Sequence, residues 1–241
     1  MQFEVCANSF TSAKNAQEAG AHRIELCAEL GVGGVTPSFG LIKKVCDELT
    51  IKVNVLIRPR SGNFIYSADE LDVILRDIQM AVELGVNGIV CGSLNEDHSI
   101  NEKQLLAMLK ASSGAEFTFH RAFDLTPDPV AAYDLLAKHQ VDRILSSGQQ
   151  QKAIDGLSLL AQLNERGGVR MMPGSGVNAA NIKTFVSQGF EEIHFSGTVM
   201  SPEPNKAPII PFITQGLLAE YGYPTSDLIR LKEIIGSAES D

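Results

Sequence analysis

Eight short runs of β-branched and aromatic residues punctuate the 241-residue chain, beginning near Phe3, Arg23, Lys52, Gly88, Glu116, Arg143, Val169 and Glu192. Between them, apolar residues recur every three or four positions, as on a helix with one buried face: 12–19, 39–49, 68–84, 102–111, 130–138, 152–163 and 179–186, with 228–235 closing the chain. A chain that comes back to a strand after every helix lays its strands parallel, through right-handed crossovers. Eight such units leave an open doubly wound sheet or a closed (β/α)8 TIM barrel, an α/β fold for which this length is typical of one domain, here 1–241.

Local signals agree with the alternation. Gly20, Gly85 and Gly189 each follow a helical stretch, where a C-terminal cap needs a left-handed residue. Ser67 with Glu70 forms a capping box before the third helix. Asp128 offers a capping acceptor ahead of Pro129, which suits a first helical position.

The strands favour the barrel. Central strands of an open parallel sheet are apolar on both faces, whereas several here alternate strictly. Phe3 and Val5 alternate with Glu4 and Cys6, Ile24 and Leu26 with Glu25 and Cys27, Phe117 and Phe119 with Thr118 and His120, Ile193 and Phe195 with His194 and Ser196. In a barrel the apolar set packs under the helices and the polar set enters the lumen. Buried charges need partners, so Glu4 and Glu25 call for cations or donors, with Arg58, Arg60, His120 and His194 as candidates. A salt-bridge network serving stability alone is the competing account.

Composition narrows the partners. A net charge of −9 without any basic run argues against nucleic acid and anionic membranes, and in favour of a small ligand. No segment approaches the roughly 18 apolar residues of a membrane helix, and the start lacks a basic signal region, so the cytoplasm is the expected compartment. Cys6, Cys27, Cys46 and Cys91 show no C-x-x-C pairing, which signals neither a zinc ribbon nor a disulfide framework.

Chemistry concentrates at the strand ends, where barrel enzymes place their sites. Glu-x-Cys-Ala occurs at Glu4 and again at Glu25, so Cys6 and Cys27 approach each other on neighbouring strands and suit Cu(I); ordinary packing is the alternative for these thiols. Arg58 and Arg60, two apart, form a fork for a carboxylate or phosphate. His120 is a candidate general base, with Asp124 close enough to orient it or Arg121, and Glu25 completes the catalytic set. Ser147-Gly148, Gly174-Ser175-Gly176 and Ser196 follow strands six to eight, where backbone amides can receive an anion beside a seventh helix capped at Asn178. No lysine stands at a strand's C-terminal end, which argues against Schiff-base chemistry. The proline-rich run from Met200 to Pro211 reads as a surface loop that either covers the mouth or tethers the last helix.

Taken together, E-V-C-A at Glu4, A-x-R-I-E-L-C at Ala21, G-G-x-T-P-S at Gly33, I-R-P-R-x-G-x-F-x-Y-S at Ile57, T-F-H-R-A-F-D at Thr118, L-x-S-G at Leu145 and M-P-G-S-G-V at Met172 resemble the CutC family over nearly the whole chain. The resemblance implies a TIM-like barrel, cytoplasmic placement, a homodimer, and copper binding or trafficking through Cys6 and Cys27. The chain departs from the family pattern after Ser196, with a single Lys206 in a proline-rich loop. Two functions follow: a copper-handling protein holding Cu(I), or an enzyme acting on a small phosphorylated or carboxylated metabolite through Glu4, Glu25, Arg58, His120 and His194.

Overall fold

The computed structural model describes residues 1–201 and 222–239. Strand and helix alternate as β1 (Gln2–Ala7), α1 (Phe10–Glu18), β2 (Arg23–Leu26), α2 (Phe39–Glu48), β3 (Lys52–Leu56), α3 (Ala68–Glu83), β4 (Gly88–Cys91) and α4 (Glu102–Ala111). They continue through β5 (Glu116–Phe119), α5 (Pro129–Lys138), β6 (Arg143–Ser146), α6 (Leu157–Asn164), β7 (Arg170–Pro173), α7 (Ile182–Ser187) and β8 (Glu192–Phe195). A short antiparallel pair, β9 (Thr198–Met200) and β10 (Pro224–Ser226), precedes α8 (Leu228–Glu239). The proline-rich run lies mostly outside the described residues.

The eight long-axis strands pair in parallel in the order β7-β6-β5-β4-β3-β2-β1-β8, the arrangement of a (β/α)8 barrel. Strand β8 packs beside β7 without a hydrogen-bonded ladder between them, leaving one joint in the cylinder. The alternation within strands settles which side chains go where. Phe3, Val5, Ile24, Leu26, Phe117, Phe119, Ile193 and Phe195 belong to the main core under the helices. Cys6, Cys27, Leu56 and Val90 form a separate cluster inside the cylinder.

Helix entries follow the local chemistry. Ser67 and Glu70 form the capping box, and the Asp128 carboxylate accepts from the amides of Val130 and Ala131 ahead of the α5 proline position. Two entries differ from expectation. Helix α6 starts at Leu157 rather than near 152, because the Ala153 amide donates to the Ser175 carbonyl and Gly156 packs on Gly148. Helix α7 is only six residues long and starts after Asn181, while Asn178 makes its own local turn to the Ala180 amide. The start of α7 therefore lies beyond the expected cap at Asn178, at the far end of the loop after β7. Among the described residues, no helix is long and apolar enough to cross a membrane.

Candidate functional site

The deeper lumen is an ion network built on the first inward residues of several strands. Arg23 of β2 bridges Glu4 of β1 and Glu192 of β8. Arg143 of β6 donates to Glu192 at 2.9 Å and to Glu116 at 2.7 Å, and Arg170 of β7 reaches Glu192 at 3.4 Å across the joint. Asn54 adds a bond to Glu4. The expected counterions for Glu4 are corrected here: Arg23 and His194 hold it, whereas Arg58 and Arg60 do not. Arg23 stands two residues before Glu25 and so shares its inward parity, a signal the sequence contained. Burial alone would raise the Glu4 pKa, but Arg23 and His194 bring it down to about 2.

Above this layer a cavity of about 240 Å3 opens at the C-terminal strand ends. Its walls include Cys6, Glu25, Arg58, Phe64, His120, Ser175, Gly176, His194 and Ser196. His194 places Nδ1 2.8 Å from Glu4. Burial disfavours its charge, yet the Cys6 thiol, Glu4 and Glu25 hold its pKa well above the ordinary range. Burial lifts Glu25 to about 7 against the opposing charge of His194, and its Oε2 has no hydrogen-bond partner. Cys6 Sγ lies 3.7 Å from Cys27 Sγ and 3.9 Å from Glu25 Oε1. Hydrogen bonding to Cys27 and burial push the Cys6 thiol up. Cys27 is fully enclosed, and only Cys6 of the pair faces the cavity.

On the side of β3 and β5 the expectations divide. Arg58 lines the cavity, but its Nη1 donates to the Val32 and Gly34 carbonyls and its Nη2 to that of Gly62. Arg60 turns away to Glu70 and the carbonyls of Ser61, Asn63 and Ile65, so the two arginines make no fork. The spacing failed because β3 ends at Leu56, and strand parity stops there. His120 lines the cavity with its ring 4.7 Å from Phe64. Its Nδ1 accepts from the Ala122 amide at 3.3 Å, and its Nε2 has no partner. Burial and the Arg58 charge lower its pKa to about 3, which keeps the ring neutral.

Asp124 orients Arg121, not His120: its carboxylate accepts from Arg121 Nε, from the hydroxyls of Ser146 and Ser147, and from the amides of Ser147 and Gln149. With those amides used, and the Gly148 amide donating to Ser146 Oγ, the turn after β6 offers no anion site. Gly148 is glycine for packing, since a Cβ there would lie 2.3 Å from the Gly156 carbonyl oxygen. The loop after β7 differs. Ser175 and Gly176 both have left-handed φ, and the amides of Ser175, Gly176 and Val177 reach no acceptor among the described residues. Gly174 lets this loop pass over Leu145, since a Cβ there would lie 2.4 Å from Leu145 Cδ1, and it sits beside the His194 ring. Lys152, which sequence reasoning passed over, lays its aliphatic stem on Gly176.

The fold and the site together define a (β/α)8 barrel with a polar cavity, lined by a carboxylate, a thiol and an imidazole, at the C-terminal ends of its strands. The CutC family matches residues 1–199, and the chain belongs to that family. A relative from Enterobacter sp. (strain 638), named a family protein CutC, is 44% identical over 202 residues, covering 83% of this chain and 82% of its own. A Bacteroides fragilis relative of the same name is 39% identical over 244 residues, covering 99% and 97%. The crystal structure of a Streptococcus agalactiae protein, provisionally named a copper homeostasis protein CutC, superposes with a TM-score of 0.76 at 34% identity, covering 80% of this chain and 97% of that one.

Proposed function

We propose that the chain binds a small phosphorylated or carboxylated metabolite in the mouth cavity and acts on it by acid–base chemistry. One observation carries this reading. Glu25 Oε2 on β2 and His120 Nε2 in the turn directly after β5 are both buried without partners in the walls of one cavity. Each unpaired buried atom costs about 1–3 kcal/mol, a cost a ligand would relieve. Glu25, held near neutrality, is the group suited to exchange a proton, and His120 offers a fixed Nε2–H to a ligand oxygen. The free amides after β7 suit the anionic end, with Arg121 at the rim.

The test is thermal shift with a panel of sugar phosphates, inorganic phosphate and dicarboxylates. A matching compound at a hundred times its Kd raises Tm by about 5 to 10 °C. The rise should vanish in Glu25→Gln and His120→Ala. A flat response to the whole panel would overturn the reading.

A second reading, copper handling in a cytoplasmic setting, is favoured by the thiol pair. Two metal–thiolate bonds of about 2.3 Å each can span the Cys6–Cys27 gap, and soft thiolates select Cu(I). Cu(I) titrated against a competing chelator should bind the wild type and not Cys6→Ala/Cys27→Ala. Equal affinities would exclude this site.

A further inference from the structure

Three of the groups around the cavity form a cluster that neither reading uses as a unit. Cys6 Sγ, a Glu25 carboxylate oxygen and a His194 ring nitrogen all lie within 4.8 Å of one another. The three residues are 7%, 5% and 8% exposed, and all line the cavity. They stand on β1, β2 and β8, which are consecutive in the hydrogen-bonded sheet. Their spacing is therefore fixed by backbone ladders rather than by loops.

The surroundings have the form of a prepared coordination site. Metal-bound histidines usually give their other nitrogen to a carboxylate, which fixes the ring and raises its basicity. Here His194 Nδ1 is bonded to Glu4, which is itself held by Arg23 and Asn54, so the remaining nitrogen is Nε2, which gives up its proton when an ion binds. Glu25 Oε2 is buried and takes no hydrogen bond. A purely structural polar network would be expected to satisfy that atom.

The donor set points to a class of ion. Calcium and magnesium take oxygen ligands, and Cu(I) prefers sulfur. One sulfur, one nitrogen and one carboxylate oxygen suit a borderline divalent ion such as zinc or cobalt, at bonds of about 2.0–2.3 Å. Three protein ligands leave a fourth tetrahedral position, and the cavity lies on the side where a fourth ligand would enter. That is the composition of an open site rather than a closed structural one.

We propose that Cys6, Glu25 and His194 form a binding site for one zinc-class divalent ion, with Glu4 as the positioning residue of His194 and a coordination position open to the cavity. The proposal differs from the copper reading in ion and in donors, since Cys27 takes no part. It does not depend on the anion reading, although the two compete for Glu25, because a carboxylate bound to the ion would not exchange a proton.

The experiment is titration of chelator-treated protein with Co2+, read by its visible and near-ultraviolet absorption and by calorimetry, followed by competition with Zn2+. The wild type should bind one equivalent, show a thiolate-to-cobalt charge-transfer band, and release the cobalt to zinc. Cys6→Ser should lose that band, Glu25→Gln and His194→Gln should bind at least about tenfold more weakly, and Glu4→Gln about ten- to a hundredfold more weakly. Circular dichroism melts of each variant separate weakened binding from failure to fold. Cys27→Ala should still give the cobalt spectrum while losing Cu(I) in a parallel titration. Wild-type protein with no stoichiometric cobalt or zinc uptake would overturn the proposal, as would loss of the cobalt spectrum in folded Cys27→Ala.

Discussion

His120 shows how a residue's chemistry is set by neighbours that are distant in the sequence. The Ala122 amide fixes its proton on Nε2, and burial with the Arg58 charge keeps the ring neutral. The sign of the pH effect follows. In the unfolded chain the imidazole titrates near its ordinary value of 6.5, whereas in the native state it takes a proton only near 3. Between those values the unfolded state binds the extra proton, so stability falls as pH drops through that window, by about 1.4 kcal/mol per unit at most. His120→Asn should flatten the dependence of Tm on pH between about 6 and 4, measured by thermal melts; an unchanged slope would remove the assignment. The sequence placed His120, Glu25, His194 and Cys6 around one mouth because each sits on an alternating strand. It misassigned Arg60 and left open whether Asp124 orients His120 or Arg121, because both lie past strand ends where direction is set by turns and local acceptors; the structure gives Arg121.

At the level of the strand, alternation carried most of what was legible, and it held wherever the ladder holds. What it did not reveal was the role of Arg23, Arg143 and Glu192, each the first residue of its strand and each turned inward. Their pairing is a property of the stagger between strands, which brings residues of β2, β6 and β8 to one level. The amides after β6 expected to receive an anion are occupied for a similar reason: they donate to Asp124, from the turn after β5. The network makes a further prediction. Glu192 faces Arg23 and Arg143, both nearly inaccessible to solvent, and replacing it by Leu leaves two cations short of a counterion. Such truncation of a buried pair costs about 3–5 kcal/mol, which urea unfolding would register. A loss below about 1 kcal/mol would mean that the remaining carboxylates, Glu4 and Glu116, suffice.

For the molecule as a whole, the eight-fold alternation left two architectures, strand parity favoured the barrel, and the structure matches it strand by strand. The point that no local pattern could show is the joint, where β7 and β8 lie together without a ladder and Arg170 and Arg143 reach Glu192 across the gap. Native-state hydrogen exchange should find the facing amides of β7 and β8 less protected than those of the paired β1–β2 edge; equal protection would mean that the gap behaves as a ladder in solution. The position of that gap matters, because its mouth end is where Gly174 meets His194 and where the free amides of Ser175, Gly176 and Val177 begin. The protein is thus a split ring clasped by charge, and a guest that touches both sides of the split acts as a staple. Occupancy of the mouth should therefore tighten the cylinder farthest from where most of its backbone bonds lie, so that recognition and rigidity rise together along a single line.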